Sequence, residues 1–497
     1  MRLNDTLGTR PEPRAAGGLG RDGREGRWDL ERNRRVGAHD WTQGLDRRDF
    51  LKLMAALAGS TTAISLIEAC APRRQGVAVG GTGDPGGEIS GTITMIAGGG
   101  DPTAEPALKK VYDDFGSTHP GVRWDIRPLP GGGPEWDRLA RGLLASGEAV
   151  DLVMMNGQQV RAWARDHLLA DLGGDPRMSA VLDRVPPKFR LGGPGETATR
   201  AFALAATRGV DATGLYYNLA LLDAAGIGVP RTIADLETMV KPLARLGAAP
   251  LVHCSGDVFF NQILLTWILP MIVERAGADP EDFAERTVKG EIRYDSPEWT
   301  EAFDTIGGLH ASGVMLDGSG ATDYAAMQQL FLRGKAATTF QGTWMLPELR
   351  AAAPSVPFEL HVAPPPLIDG AARSRPIVAW AGFALPATSG RPRDAVYAFL
   401  EYASRSEVDA AVVEASQVYS SIAASNERIV DPVAREFLPL FDDAIPPLDW
   451  LWEPEITAEI DSQVQALVKG ETVAGSSAKA VQAVADELRS TGRSYYP

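Results

Sequence analysis

Residues 136–159 read WDRLARGLLASGEAVDLVMMNGQQ, and this stretch decides the fold class. Residues 136–146 read as a helix that Ser146-Gly147 brings to a stop. Residues 150–155 then form a short apolar run of strand length, bounded by turn signals, which marks a buried strand. Asn156-Gly157-Gln158-Gln159 is therefore expected as a loop at that strand's carboxyl end. In open α/β sheets such loops line the ligand crevice.

The same alternation runs outward in both directions. Upstream, residues 91–97 (GTITMIA) read as a first strand that ends in Gly98-Gly99-Gly100-Asp101. A helix over about 104–118 follows, with Leu108, Val111, Tyr112 and Phe115 on one face, and His119-Pro120-Gly121 stops it. Residues 122–128 return as a strand. Downstream, residues 214–218 are an apolar strand followed by a helix that ends at Gly226. Thr232 with Asp235 three residues later marks a helix start, as does Asp295-Ser296-Pro297-Glu298 for a helix reaching about 311. Residues 336–340 and 377–385 are further strands, the first leading into Gln341-Gly342-Thr343-Trp344. Helices are expected over 391–404, 454–469 and 476–489. This order predicts an α/β protein with largely parallel sheets.

The amino-terminal region has a different character. Arg47-Arg48-Asp49-Phe50-Leu51-Lys52 precedes an apolar run over 53–67, interrupted by Gly59-Ser60-Thr61-Thr62, and then Cys70. Paired arginines ahead of a short apolar segment resemble a twin-arginine export signal, and the run is too short and broken for a comfortable membrane span. Ile67-Glu68-Ala69-Cys70 resembles a bacterial lipobox, which makes Cys70 the expected lipidated residue. Asp46 and Glu68 depart from the usual patterns. Residues 76–88 are Gly-rich with few bulky side chains and read as a tether between anchor and folded domain.

Charge and cysteine usage narrow the function classes. The chain has 497 residues and a formal charge of −15. Residues 1–69 hold twelve Lys/Arg and ten Asp/Glu, so the remainder sits near −17. Such a surface disfavours nucleic acid or an anionic bilayer as partner. The two cysteines, Cys70 and Cys254, and the six histidines are scattered without CxxC or HxxxH spacing, so no metal or cofactor is expected. No GxxxxGK[ST] phosphate loop and no GxSxG elbow occur.

Several segments in fixed order carry a resemblance. They are Ala145-Ser146-Gly147 leading into Val150-Asp151-Leu152-Val153, then Leu215-Tyr216-Tyr217-Asn218, then Ala225-Gly226-Ile227 with Pro230-Arg231-Thr232 and Asp235-Leu236. FLRGKA over 331–336, Gly342-Thr343-Trp344-Met345 and Trp380-Ala381-Gly382 follow. Together they resemble the extracellular solute-binding proteins of family 1, the sugar-capturing subunits of ATP-driven importers. The resemblance implies a two-lobed periplasmic-binding-protein fold of type II, with crossing segments and a ligand cleft between the lobes. It implies a protein that binds carbohydrate without altering it and delivers it to separate permease and ATPase chains; with the amino-terminal reading above, an exported, lipid-anchored monomer is expected. On that pattern 1–69 is the signal segment and 70–88 the anchor and linker. Residues 89–208 and 381–438 build lobe I, and 209–380 and 439–497 build lobe II.

A sugar presents C–H faces and a rim of hydroxyls, so its site needs aromatic platforms and paired polar groups. By resemblance Trp344, Trp380 and Trp452 are the candidate platforms. Asp101, Asn156, Gln158, Gln159, Asp257 and Tyr419 are the candidate polar contacts. Two other readings stay open: an exported glycoside hydrolase using a carboxylate pair such as Asp101 and Asp257, and a sensor or docking protein that does not transport.

Overall fold

Strand β1 (Ser90–Ala97) buries Ile93, Met95 and Ile96 and runs parallel to β2 (Gly121–Pro128), with the helix Ala104–Thr118 as the crossover. Leu108, Val111, Tyr112 and Phe115 do share the buried face of that helix. The computed structural model describes residues 89–97, 104–129, 133–185, 190–191, 203–204, 209–257, 260–352, 358–387 and 393–496. The signal segment, Cys70 and Asp101 lie outside the described residues. The fold is carried by the unit Gly83–Pro497.

Strand β3 (Leu152–Asn156) joins β1 in parallel and is buried from Leu152 to Met155. Two short strands, β4 (Arg190–Leu191) and β5 (Ala203–Leu204), pair with each other. Strand β6 (Val210–Asn218) opens the second half of the molecule, followed by β7 (Ala249–Leu251), β8 (Ala336–Gly342) and β9 (Leu360–Ala363). The last strand, β10 (Val378–Ala384), returns to the first half. The sheet order is β2-β1-β3-β10-β6-β8-β7, with β5 attached to β10 and β9 to β6.

The outer pairs β1–β2, β1–β3 and β7–β8 are parallel, but every pairing of β6 or β10 within this path is antiparallel. The expectation of largely parallel sheets is corrected at the centre. One chain segment leaves the first half through β6 and another comes back through β10, so the two must run in opposite directions. Each of these strands changes partner along its length. Residues 378–380 of β10 pair with β6, whereas Ala381–Ala384 pair with Asn156 to Val153 of β3. In β6, residues 210–212 face β10, and from Thr213 onward the partner is β8.

Each half has its own core. In the first, Phe399 packs against Phe115, Trp124 and Phe383 with ring centroids 5.5, 4.7 and 5.5 Å away. In the second, the helix Asn261–Arg275 is buried continuously from Asn261 to Val273. A helix apolar on all sides belongs at the centre of its layer, and it lies against Pro297–Ala311 and Pro454–Val468. A third cluster runs from Ile96, Trp136 and Trp163 to Tyr216, Phe331 and Trp450, joining the halves. The helix Pro432–Phe437 docks on β9, where Glu436 accepts the Val362 N–H at 2.6 Å. Cys254 is buried as a free thiol.

Candidate functional site

The strands that change partner floor a cavity of about 270 Å³. Asp211 and Thr213 come from β6, Ala379 and Ala381 from β10, and Asn156 from the end of β3. Alternation along β6 places Asp211 and Thr213 on one face, so the strand presents these two polar residues to the cavity. Both are fixed by neighbours. Thr343 donates its hydroxyl to Asp211 Oδ1 at 2.7 Å, and Thr213 Oγ1 accepts the Ile377 N–H at 2.9 Å.

Asn156-Gly157-Gln158-Gln159 is not the loop expected from sequence: it opens the helix Gly157–Arg165. Asn156 Oδ1 accepts the Gln159 N–H, and Gln159 Oε1 accepts the Asn156 N–H, each at 3.0 Å. This reciprocal capping box satisfies two end groups of the helix and occupies the Gln159 side chain. Gln158 donates to Thr457 Oγ1 at 2.9 Å, tying this helix to Pro454–Val468. Of these candidates Asn156 lines the cavity.

Three aromatic rings form the walls. Trp344 sits on a short turn after β8, half-buried, with its indole N–H donated to Gln341 Oε1 at 3.2 Å. Its six-membered ring covers Gly342, where a β-carbon would overlap it. Trp450, 8% exposed, lies in the same way over Gly157. Phe260 closes a third side, stacked on Tyr324 at 4.6 Å and 6°.

The helix Asn261–Arg275 supplies Gln262 and Thr266 to the lining. Gln262 is 6% exposed and its Oε1 has no hydrogen-bond partner among the described residues. Its backbone N–H is donated to Asp461 Oδ1 at 3.1 Å. Asp449 also lines the cavity, and burial pushes its carboxyl up to about 7. Burial together with the neighbouring Asp449 pushes Asp461 up to about 8. The buried carboxyls are mutually unfavourable when both are charged.

The remaining candidates fall elsewhere. Trp452 is 2% exposed and packs on Trp299 at 5.7 Å inside the core of the second half. Tyr419, also 2% exposed, donates its hydroxyl to Ala434 O at 2.6 Å and packs on Phe441. Neither reaches the cavity, because each has its whole ring enclosed by core neighbours. Asp257 follows Cys254 in a half-buried loop away from the lining; burial and Asp323 raise its carboxyl. Of Trp380 the structure describes the backbone, paired with Val210. Asp211, Thr213, Phe260, Gln262, Asp449 and Trp450 were not singled out as site residues by sequence reasoning. The alternation of Asp211 and Thr213 was a usable signal for the first two. Nothing local separates Trp450 from Trp452.

This two-lobed α/β architecture, with a site at its crossing strands, defines a binding-protein class. The chain belongs to the bacterial extracellular solute-binding proteins, whose family model matches residues 99–410. A Brucella suis protein named "Probable sugar-binding periplasmic protein" is 24% identical over 255 residues, which are 50% of this chain and 55% of that protein. The chain thus spans about half the length of the curated relatives it matches. The GacH receptor of Streptomyces glaucescens, solved unliganded and with acarbose, superposes with a TM-score of 0.65 at 22% identity, covering 82% of this chain and 100% of that one. The maltose/maltodextrin-binding domain MalE from Bdellovibrio bacteriovorus, bound to maltotriose, superposes with a TM-score of 0.62 at 16% identity, covering 80% and 100%. At these identities the likeness to solved structures is one of fold.

Proposed function

We propose that the chain captures a carbohydrate outside the cytoplasmic membrane and hands it, unaltered, to the permease of an ATP-driven importer. The observation that carries this reading is the cavity at the crossing strands, walled by Trp344, Trp450 and Phe260 and edged by polar groups. Aromatic faces suit the C–H faces of a sugar ring, while Asn156, Asp211, Gln262 and Asp449 can pair with its hydroxyls. At about 270 Å³ the cavity is just below the ~300–1,000 Å³ of drug-sized sites, a size suited to one sugar unit or a short oligosaccharide. Family membership and the name of the Brucella relative support both the sugar and the export.

The finer parts of the reading belong with it. Cys70 anchors a monomer by lipid after twin-arginine export, and residues 70–88 give it reach. Residues 89–208 and 381–438 make one lobe, and 209–380 with 439–497 the other. Ligand favours the closed state by contacts made from both sides. A hydrolase reading retains one supporting observation: Asp449, protonated near neutrality, and Asp211 line one cavity, as an acid and its partner carboxylate would. Titration of tryptophan fluorescence with a panel of mono- and oligosaccharides, with product analysis of each mixture, separates the two. Saturable, reversible change with no product supports capture. Turnover supports hydrolysis, and no response to any sugar overturns both.

A further inference from the structure

The cavity has a charge character that its shape alone does not require. Two carboxylic residues, Asp211 and Asp449, contribute to its lining, and the described lining contains no Lys, Arg or His. Asp211 Oδ1 accepts the Thr343 hydroxyl at 2.7 Å. Asp449 is 7% exposed, and among the described residues its own backbone N–H is the group that eases its charge. A carboxylate so enclosed is costly unless a cation or several donors meet it.

A second, independent feature points the same way. Gln262, 6% exposed and part of the same wall, has an acceptor oxygen without a partner. Gln262 Oε1 and the Asp449 carboxyl therefore both offer acceptor positions that a hydrogen-bearing group on the incoming molecule can meet. The three rings of Phe260, Trp344 and Trp450 add the electron-rich faces that attract an ammonium group. A carboxylate or phosphate on the ligand would meet Asp211, Asp449 and three ring faces in a described lining that holds no Lys, Arg or His.

We propose that this cavity selects an amine-bearing sugar, its ammonium directed to Asp449 and Gln262 between the aromatic walls, over neutral and acidic sugars of the same shape; this presupposes the sugar-binding reading above. Hydrogen bonds from a charged donor to a carboxylate are roughly twice as strong as neutral ones. An amine in place of one hydroxyl is therefore expected to tighten binding by about tenfold or more. Replacement by a carboxylate is expected to weaken it by at least as much.

The test is calorimetric titration of the full chain with matched sets: glucosamine, glucose and glucuronate, their galacto- and manno-configured equivalents, and the corresponding disaccharides. Within the set that binds, the amine should be tightest and the carboxylate weakest. The Asp449→Asn chain should show the ratio between amine and neutral sugar reduced by about tenfold. Equal or tighter binding of the neutral or acidic member, or an unchanged ratio in Asp449→Asn, overturns the charge selection and leaves sugar capture standing. Absence of binding across every set overturns both.

Discussion

Trp450 lies face-on over Gly157, its six-membered ring filling the space a β-carbon would take. The first residue of the helix Gly157–Arg165 is thereby coupled to a wall of the cavity. Alanine is a better helix former than glycine, so Gly157→Ala would be harmless if the helix alone mattered. With the indole in place, overpacking is expected to cost about 1–3 kcal/mol and to displace Trp450. Sugar affinity should fall at least tenfold, read by calorimetry beside a thermal melt. Unchanged affinity would remove Trp450 from the site.

Trp344 is half-buried, packs against the core of the second half and the cluster that joins the halves, and covers Gly342. Trp344→Ala is expected to lose at least tenfold in sugar affinity while the chain keeps its circular dichroism spectrum. Normal affinity in a folded Trp344→Ala protein would assign the ring to packing alone.

Trp452→Ala should behave in the opposite way. Its ring is enclosed against Trp299, and truncating a buried tryptophan costs about 3–5 kcal/mol. The melting temperature should drop steeply, with sugar affinity of the folded fraction within about threefold of normal. Tyr419→Phe should lose only the bond to Ala434 O, about 1 kcal/mol, again without effect on binding. A selective loss of affinity in either variant would return that residue to the site.

Asp449 sets a pH dependence of stability. Its carboxyl rises from an ordinary 3.8 to about 7 on folding, so between those values the folded chain holds a proton that the unfolded chain has released. The stabilisation is complete below about pH 3.8 and is lost as pH rises through about 7. Asp461 shifts in the same direction. Without ligand, the stability of the wild type relative to Asp449→Asn should fall by a few kcal/mol at most between pH 5 and pH 8. Melting curves that stay parallel across that range would show that Asp449 does not change its protonation on folding.

Cys70→Ser should release the protein from the membrane fraction of cells that express it. Continued sedimentation with membranes would rule out lipidation at that residue as the anchor.

The sequence carried the alternation of elements well because each signal was local. Pro297 at a helix start, the Thr232–Asp235 box and Gly226 in the left-handed conformation all stand where the residue types placed them. The antiparallel centre was not legible, because strand direction depends on how the chain crosses between halves rather than on any residue in β6 or β10. The Asn156–Gln159 segment was misread as a loop, although an Asn followed three residues later by Gln is a capping pattern. Asn156 and Trp344 were found through residue type and position after a strand, and both line the cavity. Asp449, Gln262 and Trp450 were missed since their approach to β6 and β10 is a product of tertiary packing.

The divided pairing of β10 has a mechanical consequence. Residues 378–380 are laced to β6 and the next four to β3, so the proposed opening of the two halves would turn about a line through this strand. Points on a fulcrum scarcely travel. Were the halves to close as proposed, Asp211, Thr213, Ala379 and Ala381 would keep nearly one geometry, because they stand on the two strands that carry that line.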